Sequence, residues 1–140
     1  MTRDEMLGVC RQWQDAFARR DVHALADLYS DTAVFETPMA GNLTGREGII
    51  QAHNVFFGAF SDAVLIAEPP IIDDGQVAVV GELSATHVGN FMGLPPTGKS
   101  IRFLVVFLLE VGDHRIVRDR RVYDFTCLLV QVGVLKARPA

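Results

Sequence analysis

The spacing of apolar residues changes character partway along this chain. Over residues 3–19, Met6, Val9, Cys10, Trp13 and Phe17 recur at helical intervals, with Arg11, Gln12, Asp15, Arg19 and Arg20 mostly opposite, which predicts an amphipathic helix. Asp21 reads as the N-cap of a second, short helix carrying Leu25 and Leu28. Residues 33–37 form a short predicted strand, stopped by Pro38 and the turn-prone Gly41-Asn42. Thr44 and Glu47 have the spacing of a capping box and open a third helix to about Phe60, with Ile49, Ala52, His53, Phe56 and Phe60 as its inner stripe.

Beyond Ser61-Asp62 the period becomes two. Strands are predicted over 64–68, 76–90, 101–111 and 115–124, separated by Pro69-Pro70, Asp73-Asp-Gly75, the loop Leu94-Pro-Pro-Thr-Gly98 and Gly112-Asp113. A short apolar helix or extended tail closes the chain. Helices followed by a run of antiparallel strands make this an α+β fold in one domain spanning 1–140. Residues 101–111 are apolar on both faces. Two-sided burial needs cover on each side; the helices supply one cover, and a second copy of the chain, giving a homodimer or a tetramer, supplies the other.

The most charged stretch, 115–124, lies between two apolar runs. Residues two apart share a strand face, so Arg118, Arg120, Val122 and Asp124 look one way and Asp119, Arg121 and Tyr123 the other. Asp124 is expected to end the strand inside a closed apolar pocket. Its alternatives are a cap for the tail helix or an ion pair with Arg118 or Arg120. A carboxyl in such a pocket would have its pKa raised by desolvation and suit proton transfer near neutrality.

Composition narrows the classes. The 140 residues are 49% hydrophobic and carry a formal charge of −4, which excludes disorder and offers no basic footprint for nucleic acid. The mean hydropathy of +0.23 is high for a short chain, as a pocket plus an oligomer interface would require. Cys10 and Cys127 lack metal spacing and are read as reduced core residues; no metal site is expected. With no apolar leader and no run of membrane length, a cytoplasmic protein that does not engage membranes is expected.

The stretch Ser84-Ala-Thr-His-Val-Gly-Asn-Phe-Met-Gly-Leu-Pro-Pro-Thr-Gly-Lys99 resembles the T-H-x-G-x-F-x-G-x-P-P-T-G-K signature of the SnoaL-like polyketide cyclase and ester cyclase group. Trp13, Phe17 and Asp21, Leu28-Tyr29-Ser-Asp31, Arg121-Val-Tyr-Asp124 and the closing Leu128-Leu-Val-Gln-Val-Gly133 agree with it. The resemblance implies the nuclear-transport-factor-2-like, ketosteroid-isomerase-like architecture. That is a cone-shaped α+β barrel, with N-terminal helices packed in a strongly curved, mostly antiparallel sheet around a deep apolar pocket. It also implies an intramolecular aldol condensation without a cofactor, a lyase or isomerase activity with the aspartate at position 124 as general acid/base.

Beside Asp124, His87 is the second catalytic candidate, placed to polarise a carbonyl or pass a proton; its alternative is a satisfied core histidine. His53 is a substrate-binding candidate or a buried hydrogen-bonded residue. Trp13, Phe17, Phe35, Phe56, Phe60 and Phe91 are core by default, with some as flat walls for a small apolar substrate. Arg118, Arg120 and Arg121 are candidates for an anionic substrate group, Arg120 foremost, although at least two of them are expected in solvent or paired with Asp113 and Asp119. Ketosteroid isomerases carry their base before the proline of the first strand, where this chain has Thr37. Limonene-type epoxide hydrolases need Arg and Asp on the middle strand, where this chain reads Glu82-Leu-Ser-Ala-Thr-His87. Polyketide cyclases place a His among the polar pocket partners, and 101–111 has none. A non-catalytic binder, or a hydrolase or isomerase of the same fold, stays open.

Overall fold

The computed structural model describes residues 1–136. Its first helix, α1 (Arg3–Ala18), starts at Thr2, whose hydroxyl accepts from Glu5 N while Glu5 answers with Thr2 N, so two orphan donors are satisfied at once. Asp21 caps α2 (Val22–Asp27) through Ala24 N, as expected. The chain continues through β1 (Tyr29–Thr37), β2 (Gly41–Thr44), α3 (Gly45–Ala59), β3 (Val64–Ala67), β4 (Ile71–Asp73), β5 (Gln76–Thr86), β6 (Ser100–Gly112), β7 (Arg115–Val122) and α4 (Phe125–Val132).

Several boundaries differ from the sequence pattern for identifiable reasons. The first strand begins at Tyr29 rather than 33, because an irregularity between Tyr29 and Val34 interrupts its alternation. Gly41-Asn42, expected as a turn, belongs to β2, whose partner is β1. Thr44 does precede α3, but its side chain makes no cap hydrogen bond; it is committed to β2 opposite Val34, so the expected capping box does not form. The strand expected to reach position 90 leaves the sheet at His87. There His87 N donates to Lys99 O and Gly98 N donates to His87 O, pinning both ends of the loop between them.

The strands form one mixed, strongly curved sheet in the order β2-β1-β7-β6-β5-β3, with β4 also on β5. Only the β1–β7 pair is parallel among these pairings. On β6, Ile101, Phe103, Val105, Phe107, Leu109 and Val111 are buried toward the helices, while Leu104 is 66% exposed on the outer face. The helices fill the concave side, packing Trp13, Phe17, Ile49 and Phe57 against it.

The C-terminal end of α3 is clamped to the loop after β5: Val88 N and Gly89 N both donate to Ala59 O, at 2.9 and 3.1 Å. A Cβ on Gly89 would lie 1.9 Å from Gly58 O, so no side chain fits there. At the far end, α4 is fixed on β6 by Gln131, which accepts from Arg102 N at 2.6 Å and donates to Arg102 O at 2.8 Å. No helix among the described residues is long and apolar enough to cross a membrane.

Candidate functional site

A cavity of about 580 Å³, its open mouth included, lies between the concave face of the sheet, α1, α3 and α4. Its walls are mostly apolar: Phe17 and Phe56 from the helices, Phe35, Leu83 and Phe103 from the sheet, and Leu128 from α4. The polar groups that reach it are Thr37, His53, Arg121 and Tyr123.

Arg121 is the charged group among them, and its side chain is only 13% exposed. Its Nε and Nη2 donate to Asp119 at 3.4 and 3.2 Å, and Nη2 also donates to His53 Nε2 at 3.0 Å. Three aromatic rings surround the guanidinium carbon, Phe35 at 4.5 Å, Phe107 at 5.1 Å and Trp13 at 5.3 Å from their centroids. The weakly hydrated, planar guanidinium suits such a setting better than an ammonium would. Burial works against the cation, yet the Asp119 charge and the Asp119 hydrogen bonds hold its pKa above the usual value.

Behind Arg121 the polar chain continues. Asp119 is fully buried and accepts from the Tyr29 hydroxyl at 2.5 Å; the Tyr29 oxygen accepts from Trp13 Nε1 at 2.9 Å. Burial and then the Asp119 charge push the Tyr29 phenol well above its ordinary pKa, so it remains a donor. His53 donates from Nδ1 to Ile49 O at 2.8 Å, which leaves Nε2 as the acceptor facing Arg121. Burial, reinforced by the Arg121 charge, lowers the His53 pKa to about 3, so the ring is neutral.

Of the residues singled out in the sequence, His53, Phe17, Phe35 and Phe56 line the cavity, and Trp13 packs behind it against Arg121. The others lie elsewhere. Asp124 does not end inside the pocket: it is solvent-exposed and caps α4, accepting from Cys127 N at 2.9 Å. Asp124→Ala is therefore expected to lower stability by about 1 kcal/mol, as loss of an N-cap does, measurable by urea unfolding, and to leave ligand affinity in the cavity unchanged.

His87 is fully buried but away from the cavity, between Phe60 and Phe91 with ring centroids at 5.7 and 6.2 Å. Its Nδ1 meets Thr97 Oγ1 at 2.9 Å and Nε2 has no partner among the described residues. Phe60 and Phe91 are thus cover for His87 rather than cavity wall. Arg120 faces outward beside Arg118, both paired with Glu36. Cys10 is buried, while Cys127 is only half-buried; both are free thiols. Among the described residues, no three His, Cys, Asp or Glu side chains gather as a metal site would require.

Sequence reasoning weighed Arg121 with Arg118 and Arg120 but settled on Arg120, and it missed Asp119, Tyr29 and Tyr123 as members of the site. Alternation had already grouped Asp119, Arg121 and Tyr123 on one strand face. The deciding signal was the pairing partner, since Arg121 lies opposite Phe107 and Asp119 opposite Leu109, and residues directly opposite share a face.

Similarity to known proteins agrees with this architecture. No curated protein sequence matches the chain. AclR, a putative hydroxylase from Streptomyces galilaeus, is similar in structure, with 25% identity and a TM-score of 0.86 over 99% of this chain and 87% of that one. IdmH, a putative polyketide cyclase from Streptomyces antibioticus, is 26% identical with a TM-score of 0.77 over 91% and 97%. A Catenulispora acidiphila protein with a ketosteroid-isomerase-like fold, 18% identical, matches with a TM-score of 0.77 over 94% and 97%, which shows the shared cone-shaped fold. The model of the SnoaL-like polyketide cyclase family matches residues 8–132, and the chain belongs to that family.

Proposed function

We propose that the protein is a cofactor-independent cyclase-type enzyme that performs proton transfer and aldol closure beside a carbonyl of an apolar, polyketide-like small molecule. The observation that carries this is Arg121. It is a buried cation lining an otherwise apolar cavity, and its Nη1 makes no hydrogen bond to the described residues. A carbonyl oxygen placed against Nη1 would gain negative charge as the adjacent C–H bond passes its proton to a solvent water entering through the mouth, and the alkoxide formed on ring closure takes a proton back from solvent. A preorganised cation in an apolar-walled cavity stabilises that enolate, and then the alkoxide formed on ring closure, without reorganising. His53 Nε2 accepts from Nη2 and so helps hold the guanidinium. The exposed outer-face residues Leu104, Leu108 and Val122 support the expected pairing with a second copy.

A second reading, a binding protein using the same cavity, is favoured by one observation: among the described residues, no aspartate or glutamate lines the cavity. Exchange in deuterium oxide separates the two. With 2-acetylnaphthalene as probe, the enzyme reading expects wild-type protein to accelerate loss of the methyl proton signal. It expects Arg121→Lys, which keeps a positive charge but not the planar fork, to slow that loss by roughly tenfold or more. Saturable binding with no acceleration would leave the binder.

A further inference from the structure

Arg121 is engaged along two edges before any ligand arrives. Nε and Nη2 meet the two oxygens of Asp119, and the second Nη2 hydrogen goes to His53. Asp119 could turn about its own side-chain bonds, but Oδ2 is also held by the Tyr29 hydroxyl at 2.5 Å. Tyr29 itself has one direction left for its proton, because its oxygen already accepts from Trp13 Nε1. Four elements or their ends meet at this chain of bonds: α1 through Trp13, β1 through Tyr29, β7 through Asp119 and Arg121, and α3 through His53. All of its members are buried except for the small accessible part of Arg121.

We infer that Tyr29 and Asp119 are positioning residues for Arg121: they fix the plane of its guanidinium so that Nη1 is the edge presented to the cavity. This rests on the proposed use of Arg121 as the ligand's donor. A free guanidinium can bind a carboxylate side-on through Nε and one Nη, or end-on through both Nη groups. End-on binding would turn Nη1 onto Asp119 and away from the cavity. The Tyr29 hydroxyl holds Oδ2 in the side-on arrangement.

Nitrogen NMR on the full chain tests this. In wild-type protein the two Nη groups of Arg121 should give separate signals, as hindered rotation requires, and merged signals there would overturn the inference. In Tyr29→Phe the signals should merge or move and the His53 Nε2 signal should shift with them; unchanged signals would overturn it equally. Probe affinity provides the second measurement. Quenching of Trp13, the one tryptophan of the chain, by 2-acetylnaphthalene should report a Kd weakened roughly tenfold in Tyr29→Phe, the scale of one hydrogen bond to a charged group. Altered Arg121 signals with unchanged affinity would support the positioning role while removing Arg121 as the ligand's donor, so the two ideas fail separately.

Discussion

Replacing Asp119 by alanine is expected to destabilise the protein by about 3–5 kcal/mol, the cost of leaving one member of a buried ion pair alone. The variant would strand the Arg121 cation among Trp13, Phe35 and Phe107 and take the acceptor from the Tyr29 hydroxyl. Removing both charges is a different perturbation. Asp119→Leu combined with Arg121→Met fills similar volume and leaves no buried ion, so it should cost much less than Asp119→Ala alone. Urea unfolding of the three proteins provides the comparison. A single variant as mild as the double one would mean that the pair is not desolvated. The outer-face pairs of Glu36 with Arg118 and Arg120 are the internal contrast. They stand in partial contact with water, where such pairs contribute roughly 0–1 kcal/mol.

Acid is expected to weaken the fold through His53. Its pKa is about 3 in the folded protein against the ordinary 6.5, so between those values the unfolded chain binds a proton that the folded one does not. Stability from this group is fully present above about pH 6.5 and falls as pH drops toward 3. By pH 5 the loss amounts to about 2 kcal/mol, at about 1.4 kcal/mol per pH unit below the unfolded pKa. His53→Gln keeps a polar side chain without the titration. The difference in urea midpoint between pH 7 and pH 5 should therefore be smaller in the variant by that amount. An equal drop in both proteins would show that His53 is protonated in the folded state at pH 5.

Much of the architecture was legible because burial and period coincide in it. The α1 stripe and the extent of β6 follow from the spacing of apolar residues, and the α2 start from the capping chemistry of Asp21. The site was less legible, and β7 shows why. Ile116 faces inward, and strict alternation from it carries Arg118, Arg120, Val122 and Asp124 inward too. In the sheet, Val111 pairs with Ile116 but Glu110 pairs with Arg118, which leaves Val117 as an extra residue. Such a bulge moves every later side chain to the other face. Asp119, Arg121 and Tyr123 therefore turn inward, and the strand ends with Asp124 outside, free to cap α4. One unpaired valine exchanged the contents of the cavity for those of the surface, and nothing in its own chemistry marks it.

The parallel pairing of β1 with β7 bears on how the chain is made. Residues 29–37 are synthesised well before their partner strand, and the Tyr29–Asp119 bond spans 90 positions. Until then β1 can form only its short hairpin with β2, and its other edge remains open beside unfinished helices. Long-range pairing of this kind is slow and leaves nascent chains prone to association. The sheet should thus close only once β7 is available, and truncations that remove β7 should accumulate as aggregates rather than as a smaller folded unit.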